Sequence, residues 1–339
     1  MNETVLITGG AGFIGSHLAD VLLEKGHLVR VLDNLDPQVH GNKTIEPPSY
    51  LNRETEFKYG DIRNREAIIN AIKGVDVIYH LAAAVGVGHS MYQIEKYVDV
   101  NVRGTSLLLD VLVNIPNRVR KLIVASSNTI YGEGPGSCPN CGAVTLDPRS
   151  GEQLHACDWE LHCPNCDLYV IPQPVMLDYR LNPTSVYAKT KLDQEQFCHL
   201  IGKTYGIPVI ALRFFNVYGT RQALSNPYTG IGAIFSARLL NNRPPIIYED
   251  GRQSRDFTHV KDIVQACSLA MDRPQADGKS YNVSTGKRTT IIRMASLIAQ
   301  YLGVNIPPEV VYEYRKGDIR HCFGDISATK TDLGYEPKI

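Results

Sequence analysis

The chain has 339 residues, 43% of them apolar, and 35 Lys and Arg stand against 35 Asp and Glu. With charge so balanced there is no global field to draw it to nucleic acid or an anionic membrane, so any anion it binds must be held by a local site. The length exceeds what one core usually fills, which predicts two packed lobes, and no apolar run is long enough to cross a bilayer.

The opening residues, MNETVLITGGAGFIG, lack the basic region, apolar stretch and cleavage site of a secretory signal, so the chain reads as cytoplasmic. Short β-branched runs then alternate with helical patterns. Strand 5–8 leads to a helix over 14–25. Strand 28–33 follows, then strand 57–61, a helix over 65–72 and strand 75–82. A long helix over 93–112, strand 121–127, a helix over 185–205 and strand 208–215 complete the series. Such alternation predicts βαβ units in an α/β fold, a Rossmann-type doubly wound parallel sheet. Residues 133–180 break the rhythm, and beyond Asn216 the elements become short and mixed. The expected division is a nucleotide-binding domain of 1–132 and 181–225 with parts of 255–285, an insertion of 133–180, and a smaller mixed α/β substrate lobe of 226–254 and 286–339.

Gly10, Gly12 and Gly15 form GxGxxG, and Gly9 extends it to TGGxGxxG, between a strand and a helix. The glycines allow a tight turn and close approach of a pyrophosphate to the helix N-terminus, where free N–H groups and the helix dipole favour negative charge. Asp33 ends the second strand, where its carboxylate can hold both adenosine ribose hydroxyls. It would repel a 2′-phosphate, and no Arg follows in DNLDPQ, so the expected cofactor is NAD rather than NADP.

The insertion carries Cys138 and Cys141 in one CPNC and Cys163 and Cys166 in a second. In a reducing compartment this reads as zinc-ribbon-like metal binding rather than a disulfide framework. Four thiolates leave no open position for substrate, so the expected ion is a structural Zn. Cys157, His155 and His162 are spare, and Cys198, Cys267 and Cys322 read as small apolar fillers.

Tyr187 and Lys191 form YxxxK, and residues four apart share a helix face. A nearby ammonium and the positive nicotinamide ring both favour the phenolate and move a poor base toward the working range. Ser127, ending the fifth strand, can hydrogen-bond the same substrate hydroxyl.

Together TGGAGFIG, HLAA (80–83), VNVRGT (100–105), ASSNTIYG (125–132), YAKTK (187–191), LRFFNVYG (212–219) and RDFTHVKD (255–262) resemble the extended short-chain dehydrogenase/reductases over essentially the whole chain. Within them the chain is similar to the sugar-nucleotide 4-epimerases. The resemblance implies that Phe13 and Ile14 line the pyrophosphate turn and that Asp61 and Ile62 flank the adenine. Asn34, Leu81, Ala82, Ala83 and Asn101 are implied in the cofactor cleft beside Tyr187 and Lys191, with Phe215 near the nicotinamide. Thr129 and Asn216 are implied to touch the sugar nucleotide with Ser127, and Arg255 and Arg315 to grip its diphosphate, a task suited to the planar guanidinium. It also implies a homodimer through the helices over 93–112 and 185–205, and relatives that continue past GYEP into another helix.

Dehydratases and decarboxylases of this kind place carboxylates after the catalytic Ser or Thr; here Asn128 and Thr129 follow Ser127. That suits C4 epimerisation: Tyr187 removes the 4-OH proton, hydride leaves to NAD, and it returns to the other face of a 4-keto sugar. The loop at 85–91 offers only His89 as a basic residue, which favours a neutral hexose or 6-deoxyhexose over a uronic acid. DNLDPQVHG and the cysteine-bearing insertion resemble a bacterial group acting on dTDP-L-rhamnose. UDP-glucose or UDP-GlcNAc epimerisation and reduction of a dTDP-4-keto-6-deoxyhexose use the same residues. An NAD-sensing adaptor with the ribbon as its partner face is the reading from a different class.

Overall fold

Seven of the β-branched runs pair side by side in the computed structural model, which describes residues 2–41, 45–223, 230–315 and 317–339. They are β1 (Thr4–Thr8), β2 (Leu28–Asp33), β3 (Glu56–Tyr59), β4 (Val77–His80), β5 (Lys121–Ser127), β6 (Val209–Phe214) and β7 (Ser280–Val283). The order is β7-β6-β5-β4-β1-β2-β3, every pairing parallel. The central strands are nearly continuous apolar runs because helices cover both faces. Val5 and Ile7 face α1 (Phe13–Glu24) and α5 (Val260–Met271), while Leu6 faces α2 (Arg65–Ile72), α3 (Gly104–Asn114) and α4 (Val186–Tyr205). The strand order reverses between β1 and β4, and ligands bind at the carboxyl ends of strands on either side of such a switch point.

Local signals fix the two ends of α4. The Ser185 hydroxyl accepts from the Ala188 N–H at 3.1 Å, and Gly206 closes the helix in the left-handed region at φ +72°. The single long helix expected over 93–112 is instead three segments: α-helix Ile94–Tyr97, a π-helical turn Val98–Arg103, and α3. The wide turn lies at Asn101, whose side chain bonds both the N–H and the carbonyl of Ala84 in the loop after β4, at 2.7 and 3.1 Å.

The insertion forms a three-stranded antiparallel sheet from Gly136–Cys138, Gly142–Val144 and Ile171–Pro172, with one short helix, Gly151–His155. Its core is small: Cys138, Val144, Leu146, Leu161, Cys163 and Val170. What anchors it to the rest is charge. Arg320, fully buried, pairs with Glu160 of the insertion at 2.6 Å and with Glu249 and Asp250 of the substrate lobe at 2.7 and 2.8 Å. Arg149 of the insertion reaches Glu249 at 2.8 Å, and both carboxylate oxygens of Glu133 accept from the Arg320 N–H at 2.9 Å.

In the substrate lobe, helices Ile231–Leu240 and Ile291–Tyr301 pack on each other, and strand Ser254–Arg255 lies between Thr289–Thr290 and His321–Cys322. The chain end departs from the expected division. Helix Ser327–Leu333 packs on the main sheet, with Leu333 and Tyr335 buried in its core, because their apolar side chains complete the layer that α5 begins. The expected boundary at 225–226 lies outside the described residues. Among those residues, no helix is long and apolar enough to cross a membrane.

Candidate active site

The glycine turn joins β1 to α1. Gly9 sits at φ +70°, and a Cβ there would meet the Ala82 backbone at 2.8 Å; one at Gly15 would meet Gly10 Cα and Gly9 O at 2.6 Å. Gly12 differs, since the nearest atom to its Cβ position is Gly9 O at 3.3 Å, so the space it leaves is a cradle rather than a contact within the protein. Gly12 caps α1 with no side-chain hydrogen bond, and the first-turn amides of Phe13 and Ile14 can serve an anion.

Asp33 is buried at the end of β2. Its Oδ2 accepts from Ala11 N–H at 3.0 Å and its Oδ1 from Leu35 N–H at 2.9 Å. Burial raises its pKa, while those two bonds and His40 hold it down. Each oxygen keeps a lone pair for a ribose hydroxyl. A groove beside it is lined by Asn34, Tyr59, Gly60, Asp61 and Asn64. Asn34 donates to Asp61 at 2.8 Å, and although burial works the other way, hydrogen bonds from Arg63 hold Asp61 down at about 2. Ile62 is not in the groove wall; its side chain is buried in the core against Gly104. Leu81, Ala82 and Ala83 leave β4 beside the glycine turn. Asn101 stands behind them, with its amide used on Ala84 and on Thr190 Oγ1 at 3.0 Å.

At the end of β5, Ser127 Oγ accepts from the Thr129 hydroxyl at 2.9 Å and the Thr129 N–H at 3.3 Å. The Tyr187 phenol stands close enough to Ser127 for that hydroxyl to favour its ionised form, so the strand end and α4 meet at the expected pair. The electrostatics differ from expectation. Burial raises the Tyr187 pKa, with Ser127 alone opposing it, so in this arrangement the phenol is not drawn down by Lys191. The reason is geometric: Lys191 Nζ is turned to Gln194 Oε1 at 2.7 Å. Burial lowers Lys191 to about 8 against the opposing pull of Cys198 and Glu195.

On the substrate side, Phe215 is buried among Ile130, Tyr131, Val175, Leu192 and Cys322, and Gly324 leaves room for its ring. Asn216 Oδ1 is buried without a hydrogen-bond partner among the described residues, an atom that calls for a ligand donor. Arg255 is held by backbone carbonyls, of Ser254 and Arg320 at 2.9 and 3.0 Å and of Ile319 at 2.6 Å. Arg315 lies 4.3 Å from the centre of the Tyr248 ring, and both guanidinium groups act on the half-buried carboxyl of Asp318. In the insertion the four sulfurs of Cys138, Cys141, Cys163 and Cys166 all lie within 4.8 Å of one another. The residue after each second cysteine is left-handed, Gly142 at φ +73° and Asp167 at φ +61°. His162 pairs instead with Asp158 and Asp167, and His155 with Tyr314.

Residues 5–151 and 170–284 match the NAD dependent epimerase/dehydratase family. The chain belongs to this family. The unmatched stretch, 152–169, falls inside the insertion. Over 99% of its length the chain is 33% identical to a dTDP-L-rhamnose 4-epimerase of Burkholderia thailandensis, covering 91% of that protein. It is 32% identical to a putative UDP-glucose 4-epimerase of Methanocaldococcus jannaschii, covering 99% of this chain and 93% of the relative. The structure of UDP-glucuronic acid 4-epimerase from Bacillus cereus, in complex with UDP-glucuronic acid and NAD, superposes with a TM-score of 0.80 at 27% identity, covering 99% of this chain and 94% of that one. The cradle at Gly12 and the paired acceptor at Asp33 fit the dinucleotide that such family members bind.

Buried polar residues that no motif announces complete the epimerase-family site: Gln194 at Lys191, and Arg213, which donates to Glu195 of α4 and to the Tyr131 hydroxyl. Asp33→Ala removes the ribose acceptor and its charge. Titration calorimetry should show weakened NAD binding by about tenfold or more and a narrowed preference over NADP, on the scale of one or two lost charged hydrogen bonds. An unchanged NAD dissociation constant would identify a different acid.

Proposed function

We propose that the chain is an NAD-dependent sugar-nucleotide 4-epimerase whose substrate is dTDP-L-rhamnose. The observation that carries the reaction type is the meeting of Ser127, at the end of β5, with Tyr187 of α4, one helical turn from buried Lys191, with no carboxylate poised beside them among the described residues. Asn128, where dehydratases carry an acid, donates to Cys322 Sγ at 3.4 Å, and the nearby acid Glu133 is committed to the Arg320 N–H. The substrate reading is supported by the 33% identical relative and by the absence of a basic residue other than His89 in the loop at 85–91.

In this reading Tyr187 takes the proton of the sugar 4-hydroxyl, and Ser127 hydrogen-bonds the same oxygen while it becomes a carbonyl. NAD, when bound, supplies reversible hydride acceptance at C4. Asp33 holds its adenosine ribose, the Gly12 cradle and α1 its pyrophosphate, and Lys191 its second ribose. Arg255 and Arg315 hold the substrate diphosphate, with Asn216 between diphosphate and sugar, so the sugar can turn over while its nucleotide stays anchored. Both faces of the 4-keto sugar are then presented in turn to one hydride site. Tyr187 returns the proton, and no second acid or base is needed.

The four cysteines fit a structural zinc ion: tetrahedral thiolates at about 2.3 Å from zinc stand about 3.8 Å apart, near the packing of these sulfurs. A reducing cytoplasm is the compartment that keeps such thiols available. Ile94, Val98, Phe197 and Leu200 are exposed apolar residues on the segments implied in a homodimer, and they support that assembly.

Incubating the protein with a panel of dTDP- and UDP-sugars and reading C4 inversion by NMR should give turnover of dTDP-L-rhamnose with no net change in nicotinamide absorbance. Turnover of a UDP-sugar alone would overturn the substrate, and stoichiometric consumption of reduced cofactor would overturn the reaction type. In the same assay Tyr187→Phe should show no turnover while binding NAD normally; near-normal rates would remove Tyr187 as the base. Elemental analysis should find about one Zn per chain. Cys138→Ser should lose it, keep NAD affinity, and epimerise on the order of 10²-fold more slowly through misplaced reacting groups. Full activity without zinc would make the insertion irrelevant to the sugar site.

A further inference from the structure

The hydrogen-bond partner of Lys191 is set by a buried chain of polar groups that runs across four elements. Thr8 of β1, His80 of β4, Thr105 of α3 and Gln194 of α4 are all 0 or 1% exposed, and Lys191 is 3% exposed. The distances are 2.8 Å from Thr8 Oγ1 to His80 Nδ1, 2.9 Å from His80 Nε2 to Thr105 Oγ1, and 2.7 Å from Gln194 Nε2 to Thr105 Oγ1. Lys191 Nζ closes the chain on Gln194 Oε1 at 2.7 Å.

The direction of every bond follows from one contact. Thr105 Oγ1 lies 2.5 Å from the Asn101 carbonyl, which has no proton to give, so the single Thr105 proton is spent there. Thr105 Oγ1 is therefore an acceptor toward both other neighbours. The first is His80, which must carry its proton on Nε2 and accept from the Thr8 hydroxyl on Nδ1; burial lowers its pKa to about 3 and keeps it neutral. The second is Gln194, which must turn its NH₂ to Thr105. A flipped amide would set two lone-pair oxygens 2.7 Å apart with no proton between them. The Gln194 carbonyl is thus forced toward Lys191, as an acceptor that cannot rotate away.

We propose that Gln194 is a positioning residue for catalysis: locked by Thr105, its side-chain oxygen fixes the place and the charged form of the Lys191 ammonium. This rests on Lys191 holding the second ribose of the cofactor, as proposed above. The ammonium donates this hydrogen bond more strongly than the neutral amine would, which favours the charged form against the burial that opposes it. Among the titratable groups around Lys191, Tyr187, Glu195 and Cys198 are on its own helix and His80 comes from β4. Arg213 of β6 stands behind Glu195. His80 stays neutral, and burial pushes the Cys198 thiol up to about 12. Glu195, despite burial, is held down as a carboxylate by Arg213, and Tyr187 is raised. Of these neighbours none other than Lys191 is placed to titrate between about pH 6 and 10, so an alkaline limb that moves with Gln194 belongs to it.

The test compares the full-length protein with Gln194→Met, which keeps the volume and removes the acceptor, and with Gln194→Glu, which puts a carboxylate against the ammonium. Thr105→Val, which frees the Gln194 amide to flip, is the third variant. NAD affinity is measured by calorimetry from pH 6 to 10, and turnover of whichever of dTDP-L-rhamnose or UDP-glucose the wild type accepts is followed over the same range. The alkaline limb of both profiles should move down by about one pH unit in Gln194→Met and Thr105→Val and up in Gln194→Glu, because one unit is the scale of a charged hydrogen bond. Limbs that stay in place, or that move the same way in Met and Glu, would overturn the proposal even if thermal stability falls, since a purely structural role lowers stability without moving the profile. The NAD arm needs no sugar. Its result stands if neither nucleotide sugar is turned over, which would count against the substrate reading alone.

Discussion

The geometry of the site depends on a buried ion pair one turn beyond its lysine. Arg213 on β6 meets Glu195 on α4 through Nε and Nη2, with contacts of 2.6 to 3.2 Å, and both side chains are nearly sealed from solvent. Arg213 also donates to the Tyr131 hydroxyl at 2.7 Å and the Leu177 carbonyl at 3.1 Å, and Glu195 accepts from Ser280 at 2.8 Å. One point therefore ties α4 to β6 and β7, to the turn after Ser127, and to the chain returning from the insertion. A buried pair is weak evidence for stability, because desolvation offsets much of the attraction, but leaving one partner alone costs about 3–5 kcal/mol. Its consequence here is register: with Glu195 fixed, Lys191 and Tyr187 follow at four-residue steps on the same face and arrive opposite Ser127.

A second buried ionic cluster does for the substrate lobe what the first does for α4. Glu249 is held at φ +53°, a conformation a non-glycine residue adopts when its surroundings over-determine it, and its carboxylate bridges Arg149 of the insertion to Arg320. The backbone of Ile319 and Arg320 in turn supplies the carbonyls that hold Arg255. Burial raises Glu133 to about 7, against Arg149 and the Arg320 N–H, so the cluster contains one acid near its neutral form. The insertion is thus joined to the shelf beneath Arg255. This gives it a physical route to the sugar site that does not require it to touch the sugar.

What was legible in the sequence was whatever a local rule specifies. The glycine turn is readable because backbone crowding at Gly9 and Gly15 admits no other residue, the YxxxK pair because helical spacing is fixed, and the cysteine cluster because two CPNC turns of like form can close on one point. The inward turn of the Ile62 side chain was not legible, because a position adjacent to a lining residue need not face the groove. The helix over 93–112 was read as regular because periodicity does not reveal the wide turn at Asn101. Arg213 with Glu195, the Arg320 cluster, and the Gln194 chain escaped altogether. Each joins residues separated in the chain: the parallel strands bring the first and third together, and the docking of the insertion on the substrate lobe brings the second. The electrostatic expectation for Tyr187 failed for a related reason: helical spacing puts Lys191 nearby, but the buried partner that captures its ammonium comes from the tertiary fold.

The central claim is that one pocket oxidises and re-reduces the same carbon of a sugar whose nucleotide stays anchored. Epimerisation of dTDP-L-rhamnose deuterated at C4, run in ordinary water and followed by NMR and mass spectrometry, tests it most directly. The account predicts that the deuterium remains at C4 in the inverted product. Replacement of that deuterium by solvent protium would contradict it.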